Sequence, residues 1–513
     1  MKTHLILFRN DLRIHDNEAL SEASKADRLI PVYVFDPRKY TATEYGFPRV
    51  GPLRIRFLME TVSNLRKNLR RRHSDLVIRT GKLEEIVPAM VKEYRINDVF
   101  LHAEPTSEER EEEDALETAL ASLNPNALLN PNALLNTDAS PKPSGSETPI
   151  GIHLRKFWGS TLYHRDDLPM EAHQVPGVFS NFRKRVEKGS RVREVIAMPE
   201  ELPPCPVDVS GELPDVETLR AVPDHFLWND TQFDQSHKSV LDFKGGEKDA
   251  LQRVRDYIWD GDHLKRYKET RNGLLGPDYS SKFSPWLATG AMSPRYVHDQ
   301  VRQYEKERVK NSSTYWMIFE LIWRDYFKFV FMRHGNALFR TEGIRKTPHP
   351  VEWQRNDVLI RAWQKAETGI PFVDANMREL LRTGFMSNRG RQNAASFFSW
   401  NLRQEWRIGA AWFETLLLDY DPCSNWANWA YNSGVGNDPR QRYFNILGQA
   451  NRYDKKGNFV RHWIPELSSI PPSHIHRPHL LSAKEQRQYK IDIGEDYPAP
   501  VMDLEASYEK LNC

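Results

Sequence analysis

Four short apolar runs near the start of the chain constrain the fold most strongly. They read HLILF, LIPVYVF, DLVIRTG and DVFLH, and stretches with helical apolar spacing, such as DNEALSEASKA, separate them. Strands that are apolar on both faces and alternate with helices predict a parallel sheet covered by helices on both sides. We therefore predict a doubly wound α/β domain over residues 1–123. No GxGxxG motif follows the first strand, so the dinucleotide-binding fingerprint is absent.

Beyond residue 123 the sequence predicts a connector and then a helical domain. Residues 124–149 contain NPNALL twice in tandem and then many Pro, Ser and Gly residues. Polar and helix-breaking residues continue, so we predict an interdomain connector with a repeat-bearing surface loop over residues 124–235. Helical apolar spacing in segments such as TYWMIFELIWRDYFKFVFMRHG predicts an all-α domain over residues 236–490. Residues 491–513 are predicted to form a C-terminal tail.

The small net charge of +2 conceals an uneven distribution of charge. Residues 261–470 contain 31 Lys or Arg and 21 Asp or Glu, a net +10, which leaves −8 for the remainder, and they hold 11 of the 14 tryptophans. Positive charge among flat aromatic rings suits binding of nucleic acid or of a phosphorylated, ring-bearing cofactor. A Trp-rich helical core under a basic surface explains the same composition equally well.

Features of membrane and secreted proteins are missing from the sequence. The apolar runs are far shorter than the ~18 residues of a membrane span, and the N-terminal run is too short for a signal peptide. Cys205, Cys423 and Cys513 show no CxxC spacing, so we predict free thiols in a reducing compartment. The protein is predicted to be intracellular and not attached to a membrane, in the cytoplasm by default, with the nucleus or an organelle as the alternative for a eukaryotic protein.

Three clusters of polar residues are candidates for chemistry. Asp419, Asp421 and Asn425 surround a proline, which places them on a predicted turn that would bind a metal or, more simply, form an Arg–Asp bridge with Arg389 or Arg391. A second cluster, YSSKFSP, suits a phosphate cradle or a plain helix N-cap.

The third cluster is ELIWRDYF, in which Glu320, Trp323 and Arg324 are predicted to share one side of a helix. This arrangement suits either recognition of a base edge or an ordinary salt bridge. Trp353, Trp406 and Trp429, taken singly, are each predicted to be core residues.

Six motifs in sequence order resemble the photolyase/cryptochrome family, and more closely its DASH-type cryptochromes. They are FRNDLRIHDN, FWGSTLYHRDDLP, YSSKFSP, ELIWRDYF, TGFMSNRGRQN and DYDPCSNWANWAYNSGVGNDPR. The resemblance covers nearly the whole chain, and the tandem NPNALL departs from it. It implies an α/β domain, a long connector and a helical domain that holds FAD in a U shape.

The resemblance also implies a set of residues that bind FAD. Arg391 and Asp419 would form a bridge beside the flavin ring, and Asn425 would face flavin N5. The FAD phosphates would be cradled by Tyr267, Ser280, Ser281, Lys282, Phe283 and Ser284, and the flavin would be lined by Trp323, Asn388, Arg391, Asp419, Asp421 and Asn425.

The reaction implied by the resemblance is light-driven cleavage of cyclobutane pyrimidine dimers, a deoxyribodipyrimidine photolyase-type lyase reaction. Excited reduced FAD would donate an electron to the dimer and recover it after the ring splits. Glu320 and Asn388 would hydrogen-bond the flipped dimer. Trp429, Trp406 and Trp353 would relay electrons from the surface to the flavin. The indole ring suits this task because its oxidation lies within reach of an excited flavin.

DNA is the implied partner, and the protein is predicted to act as a monomer. Arg389, Arg440 and Arg442 would contact phosphates, while Trp323, Gln392 and Tyr431 would line the lesion pocket. Tyr431 and Gln392 stand where duplex-repairing photolyases have a Trp and a Met. Weaker stacking on the dimer repays less of the cost of flipping it out of a duplex, which predicts a preference for single-stranded DNA. A second chromophore, methenyltetrahydrofolate, is expected in the interdomain cleft with Glu109 as a ligand.

Two other functions fit the same motifs. One is a blue-light photoreceptor that signals through a partner without repair, either alone or in addition to repair. The other is an RNA-binding or single-strand-binding protein with a vestigial flavin site. Repair assays under blue light with single-stranded and duplex substrates discriminate among these functions.

Overall fold

The computed structural model describes residues 1–123, 152–208, 210–219, 239–345, 349–438 and 443–512. Within these ranges the strands are β1 (Thr3–Phe8), β2 (Arg28–Phe35), β3 (Val77–Thr80), β4 (Asp98–His102) and β5 (His153–Phe157). The helices of the first half are α1 (Glu18–Ala23), α2 (Pro52–Arg70), α3 (Leu83–Tyr94), α4 (Ser107–Ala121), α5 (Phe179–Gly189) and α6 (Val216–Leu219). Those of the second half are α7 (Glu247–Val254), α8 (Tyr267–Thr270), α9 (Ser284–Ala288), α10 (Pro294–Glu307), α11 (Ser312–His334), α12 (Asp357–Gln364), α13 (Pro371–Thr383), α14 (Asn388–Ser396), α15 (Trp406–Leu416), α16 (Pro422–Asn432), α17 (Ile446–Tyr453), α18 (Asn458–Trp463), α19 (Ala483–Tyr489) and α20 (Leu504–Asn512).

The five strands form one parallel sheet in the order β3-β2-β1-β4-β5. Successive side chains of a strand point to opposite faces. Ile6 and Phe8 of β1 therefore share a core with α1 and α2, whereas Leu5 and Leu7 share a second core with α3 and α4. The predicted doubly wound α/β architecture is confirmed, and so is the all-α character of the second half.

The α/β domain extends past the predicted boundary at residue 123. The edge strand β5 pairs with β4 in parallel, with Asp98 opposite His153 and His102 opposite Phe157. The first domain thus includes residues that the sequence prediction assigned to the connector, because a short edge strand with polar side chains lacks the apolar signature of the buried strands. The tandem NPNALL repeat lies outside the described residues.

Buried charged groups join the two domains. Asp16 accepts hydrogen bonds from the guanidinium of Arg295 and the hydroxyl of Ser293, both in the helical half. His15 contacts the carboxylate of Glu247 through Nδ1. These partners explain the burial of His15 and Asp16, whereas Arg9 and Asp11 of the same FRNDLRIHDN motif pair with Glu113 and His102 within the α/β domain.

Helix α11 is the central element of the helical domain. It carries thirteen buried residues and packs against α8, α10 and α16. The predicted tail also packs here, since α20 forms on residues 504–512 and its Ser507 hydroxyl accepts a hydrogen bond from the Asn401 side chain at 2.8 Å. Hydrophobic contacts of α20 show that the end of the predicted C-terminal tail packs on the helical domain. In the described parts of the chain, no helix combines the length and apolar character needed to cross a bilayer.

Candidate functional site

A cavity of about 300 Å³ lies in the helical domain between α11, α14, α16 and the segment from α8 to α9. Its wall includes fourteen of the residues predicted from the sequence. These are Tyr267, Ser280, Ser281, Lys282, Phe283, Ser284, Glu320, Asn388, Arg391, Gln392, Asp419, Asp421, Asn425 and Trp429. Residues from four separate stretches of sequence therefore meet at one site.

The predicted Arg–Asp bridge forms on the cavity wall. Helix α14 begins after Ser387, whose hydroxyl accepts from the Gly390 N–H at 2.9 Å, and its helical spacing turns Asn388, Arg391 and Gln392 to the cavity. Arg391 Nη2 donates to Asp419 Oδ2 at 2.8 Å. The second Asp419 oxygen is buried at the cavity and has no hydrogen-bond partner within the described part of the chain. It is an open acceptor for a donor that enters the cavity.

Asp421 is held by a buried lysine that the sequence reasoning missed. The Asp421 carboxylate caps α16 by accepting the Ser424 N–H at 2.7 Å, and it lies 3.3 Å from Lys328 Nζ. Burial alone would raise the pKa of Asp421, but Lys328 and other donors outweigh it and lower the pKa to about 2. Lys328 also lies 3.3 Å from Glu104 in the α/β domain. The lysine therefore ties the cavity wall to the other domain.

The predicted turn around Pro422 is only partly observed. Asp419 precedes α16 and Asp421 caps it, but α16 begins at Pro422, so Asn425 lies on the helix one turn later. Proline at the first helical position starts the helix rather than extending the turn. Asn425 Nδ2 donates to the Ala410 carbonyl at 2.9 Å, which fixes the amide at the cavity.

The YSSKFSP segment lines the cavity without forming a side-chain N-cap. Helix α9 follows Phe283, and no side chain caps its first turn. The hydroxyls of Ser280, Ser281 and Ser284 are thus not used as caps of α9, and the phosphate cradle stays a prediction. Lys282 takes a left-handed conformation with φ +56°, and its Nζ donates to the Gly276 and Pro277 carbonyls at 3.2 and 2.8 Å.

Glu320 and Arg271 form an ion pair on the cavity wall. Arg271 Nη2 donates to Glu320 Oε1 at 2.6 Å, and Arg271 itself lines the cavity. Burial raises the pKa of Glu320, although Arg271 opposes that shift. Arg271 was missed because nothing in the sequence YKETRNG sets it apart from a surface arginine.

Trp323 is not among the residues that line the cavity, contrary to its predicted position. Glu320 and Arg324 line it from α11, but Trp323 points to a neighbouring side of the helix. There its ring stacks on Phe179 with centroids 3.6 Å apart and meets Tyr431 edge-on at 6.3 Å. A packing partner from the connector, which helical spacing cannot reveal, decides this orientation.

The residues predicted to contact DNA and the residue predicted to bind the antenna differ in whether they line the cavity. Gln392 lines the cavity, whereas Arg389 lies beside it, donating to Asn272 at 3.0 Å and to Gln392 at 2.9 Å. Glu109 accepts from the Thr106 hydroxyl at the start of α4 and is not a residue of this cavity. Arg440 and Arg442 lie outside the described residues.

The three predicted relay tryptophans lie on segments of the helical domain that contact one another. Trp429 lines the cavity and packs on Gly409, which lies one helical turn after the fully buried Trp406 on α15. Trp353 is half-buried, and the residue after it, Gln354, hydrogen-bonds the backbone of Arg403 and Glu405 beside Trp406. The core alternative also holds for two members of the set, since Trp406 and Trp429 are both buried.

Comparisons with known proteins agree with this geometry. The family described as DNA photolyase matches residues 4–206, and the FAD binding domain of DNA photolyase matches residues 316–512. Cryptochrome DASH of Gloeobacter violaceus is 46% identical over 510 residues, which cover 98% of this chain and 93% of the relative. The chain belongs to the photolyase/cryptochrome family. The predicted similarity to DASH-type cryptochromes is confirmed, since the cryptochromes DASH of Natronomonas pharaonis and Synechocystis are 44% and 45% identical over 512 and 510 residues.

Solved structures of the photolyase/cryptochrome family share the whole fold. The crystal structure of a Synechocystis cryptochrome is 44% identical, with a TM-score of 0.89 and coverage of 100% of this chain and 99% of that one. A class III photolyase from Agrobacterium tumefaciens is 25% identical, with a TM-score of 0.81 and coverage of 100% and 97%.

The cavity of this family member fits FAD. Asp419 Oδ1, Asn432 Oδ1 and Trp429 Nε1 line it, are buried, and lack hydrogen-bond partners in the described residues. Buried polar atoms are normally paired, so these two acceptors and one donor indicate a polar ligand. The hydroxyl-rich segment from Ser280 to Ser284 adds donors suited to phosphate. FAD supplies both a polar ring edge and a pyrophosphate.

Proposed function

We propose that this protein splits cyclobutane pyrimidine dimers in DNA under blue light, with a preference for single-stranded substrates. The observation that carries the proposal is the meeting of two sets of residues in one cavity. One set, around Arg391 and Asp419, suits the flavin, and the other, Glu320 with Gln392, suits a base edge. When bound, reduced FAD would supply the light-driven electron that opens the dimer ring.

The residues around the flavin position would fix its orientation before the reaction. The Arg391–Asp419 pair is held at 2.8 Å, and its free Asp419 oxygen would accept a ring N–H. Lys328 keeps Asp421 ionised as the cap of α16, so the helix that carries Asn425 and Trp429 starts at a defined place. Such fixed polar groups cost no reorganisation when charge moves in the reaction.

Glu320 would recognise the extruded dimer. Arg271 would hold one oxygen of its carboxyl group at 2.6 Å, and the other oxygen would hydrogen-bond the edge of a pyrimidine. Extruding a base costs a few kcal/mol and least for an unpaired base. Because Phe179 covers one face of Trp323 and Tyr431 replaces a larger indole, less aromatic surface is left to repay that cost. This supports the preference for single strands.

Three further assignments belong to the same proposal. Trp429, Trp406 and Trp353 would refill the flavin with electrons from the surface. Methenyltetrahydrofolate would serve as antenna, with Glu109 as the proposed ligand, and a near-ultraviolet band in the absorption spectrum of the purified protein would test it. The protein would act as a monomer in the cytoplasm, and light scattering would test its mass.

The deciding experiment is repair of dimer-bearing oligonucleotides under blue light, in single-stranded and duplex form. We expect faster repair of the single strand, no repair in the dark, and a loss of at least tenfold in Glu320→Ala with the FAD content unchanged. Glu307→Ala, an exposed acid on α10, is the matched control and should repair normally. If neither substrate is repaired by the FAD-loaded protein, the proposal fails and the photoreceptor function is favoured. Equal loss of repair and FAD in Glu320→Ala would make Glu320 structural.

A further inference from the structure

A chain of aromatic contacts starts at Trp353, the outermost of the proposed relay tryptophans. The His349 ring stacks on Trp353 with centroids 4.3 Å apart and planes 28° apart, and it also lies 4.8 Å from the ring of Trp400. Tyr443 lies 6.4 Å from Trp400 and stacks on Tyr508 of α20 at 5.5 Å. Five rings from four separate segments of the sequence are therefore in contact, each with the next.

Trp400 is held in place between this aromatic chain and the wall of the cavity. Its indole is 3% exposed, and its Nε1 donates to the carbonyl of Asn432, a cavity residue at the end of α16, at 2.7 Å. Gly434 packs on the same ring, since a Cβ atom there would lie 2.9 Å from Trp400 Cζ2. Trp353 is fixed to the same turn of helix, because its Nε1 donates to the carbonyl of Ser399 at 3.0 Å. The two indoles thus have a defined separation, with the His349 ring in contact with both.

The surroundings of these rings differ in how well they tolerate positive charge. Trp400 is buried, and a buried unpaired charge is costly, so an oxidised Trp400 would soon take an electron from a neighbour. Tyr443 and Tyr508 are half-buried, and an oxidised phenol can lose its proton and become neutral. The Tyr508 hydroxyl accepts the Ile446 N–H at 2.7 Å, which leaves its own proton available for transfer. The two tyrosines are therefore the suitable end of the chain.

We propose that Trp400 is a fourth tryptophan of the electron relay, on a branch that ends at Tyr443 and Tyr508. The inference rests on the proposed relay that ends at Trp353. In the branch, an electron passes from a tyrosine through Trp400 to the oxidised indole of Trp353, which returns to its neutral form. The tyrosine loses this electron and releases its phenol proton to solvent. A thiol in the medium then donates a hydrogen atom to the neutral tyrosine radical and restores the phenol.

A purely structural role for Trp400 gives a different expectation. Large aromatic residues are ordinarily core residues, and truncating one lowers stability wherever it lies. Trp463 on α18 is also fully buried and makes no ring contact with this aromatic chain in the part of the molecule that the structure describes. Trp463→Phe is therefore the matched control for the loss of packing in Trp400→Phe.

The experiment illuminates the FAD-loaded full chain with blue light, without DNA and with dithiothreitol as the thiol, and identifies the trapped protein radical by electron paramagnetic resonance. Ring-deuterated tyrosine, incorporated during expression, narrows the signal of a tyrosine radical and leaves that of a tryptophan radical unchanged. We expect a tyrosine-sensitive signal in the wild type and in Trp463→Phe. This signal should be lost in Trp400→Phe and in the double variant Tyr443→Phe, Tyr508→Phe, while the tryptophan signal and the FAD content are retained.

Two results would overturn the inference. One is a wild type that reduces its flavin under light without any tyrosine-sensitive signal. The other is a Trp400→Phe variant, folded by circular dichroism, that keeps this signal. If Trp400→Phe does not fold, persistence of the signal in the double tyrosine variant overturns the branch by itself. Absence of dimer repair in a protein that shows the tyrosine radical refutes the proposed function and leaves the branch standing, so the two failures are distinguishable.

Discussion

The packing of Trp429 on Gly409 provides a sharp test of how the cavity wall is built. A Cβ atom added at Gly409 would lie 2.3 Å from Trp429 Cη2 and 2.6 Å from Cζ3, too close for any real contact. The indole cannot move away easily, because Phe413 meets it at 5.0 Å and Trp363 and Phe398 at 6.1 Å between ring centroids. Gly409→Ala should therefore strain the wall where the proposed relay begins.

The expected free energies follow from two opposing effects. In a helix interior, Ala is about 1 kcal/mol better than Gly. Overpacking a tight core costs about 1–3 kcal/mol. In the wild-type background the substitution should thus destabilise the protein by up to about 2 kcal/mol. In Trp429→Phe, which lacks the outer indole atoms, the same change should stabilise it by up to about 1 kcal/mol.

Urea unfolding of the wild type, both single variants and the double variant measures the difference as a coupling energy. We expect a coupling of at least about 1 kcal/mol with a change of sign between backgrounds. Gly409→Ala alone should also slow photoreduction of the flavin, because the indole is displaced from the cavity. Effects that add within about 0.5 kcal/mol in the double variant would refute the packing argument.

The remaining predictions concern other parts of the site. Trp429→Phe should slow photoreduction under blue light with FAD content retained, and unchanged photoreduction would remove Trp429 from the relay. Lys328→Met should lower the free energy of unfolding in urea by about 3–5 kcal/mol, since it strands two buried carboxylates, Glu104 and Asp421; a loss under about 1 kcal/mol would contradict this. Folding lowers the pKa of Asp421 to about 2, so its carboxylate should contribute about 2 kcal/mol to the free energy of unfolding above about pH 4, and this contribution should be lost as the pH falls toward 2. Acid unfolding of Asp421→Asn, which should lack this pH-dependent contribution, is the comparison. The double variant Gln392→Met, Tyr431→Trp should raise the rate of duplex repair relative to single-strand repair by about tenfold, which corresponds to about 1.4 kcal/mol of added stacking. An unchanged ratio would mean that the strand preference arises elsewhere.

Local patterns in the sequence were enough to predict much of the fold. Apolar runs of four to eight residues and helical spacing reflect which faces each segment must bury, so the parallel sheet and the helical second half were predictable. The Arg391–Asp419 pair and the cavity position of the YSSKFSP residues were predictable as well, although only the resemblance to a family joined them into one site. Motifs identify residue types in order, but they carry no distances between segments.

Tertiary structure alone decided which polar groups lie together and which aromatic faces are covered. The sheet gains β5 by pairing across residues 124–151, Phe179 covers Trp323, and Lys328 bridges Glu104 and Asp421 from different domains. The physical reason is that burial and charge pairing depend on neighbours from distant parts of the chain, whereas helix and strand formation depend on periodicity within a short window.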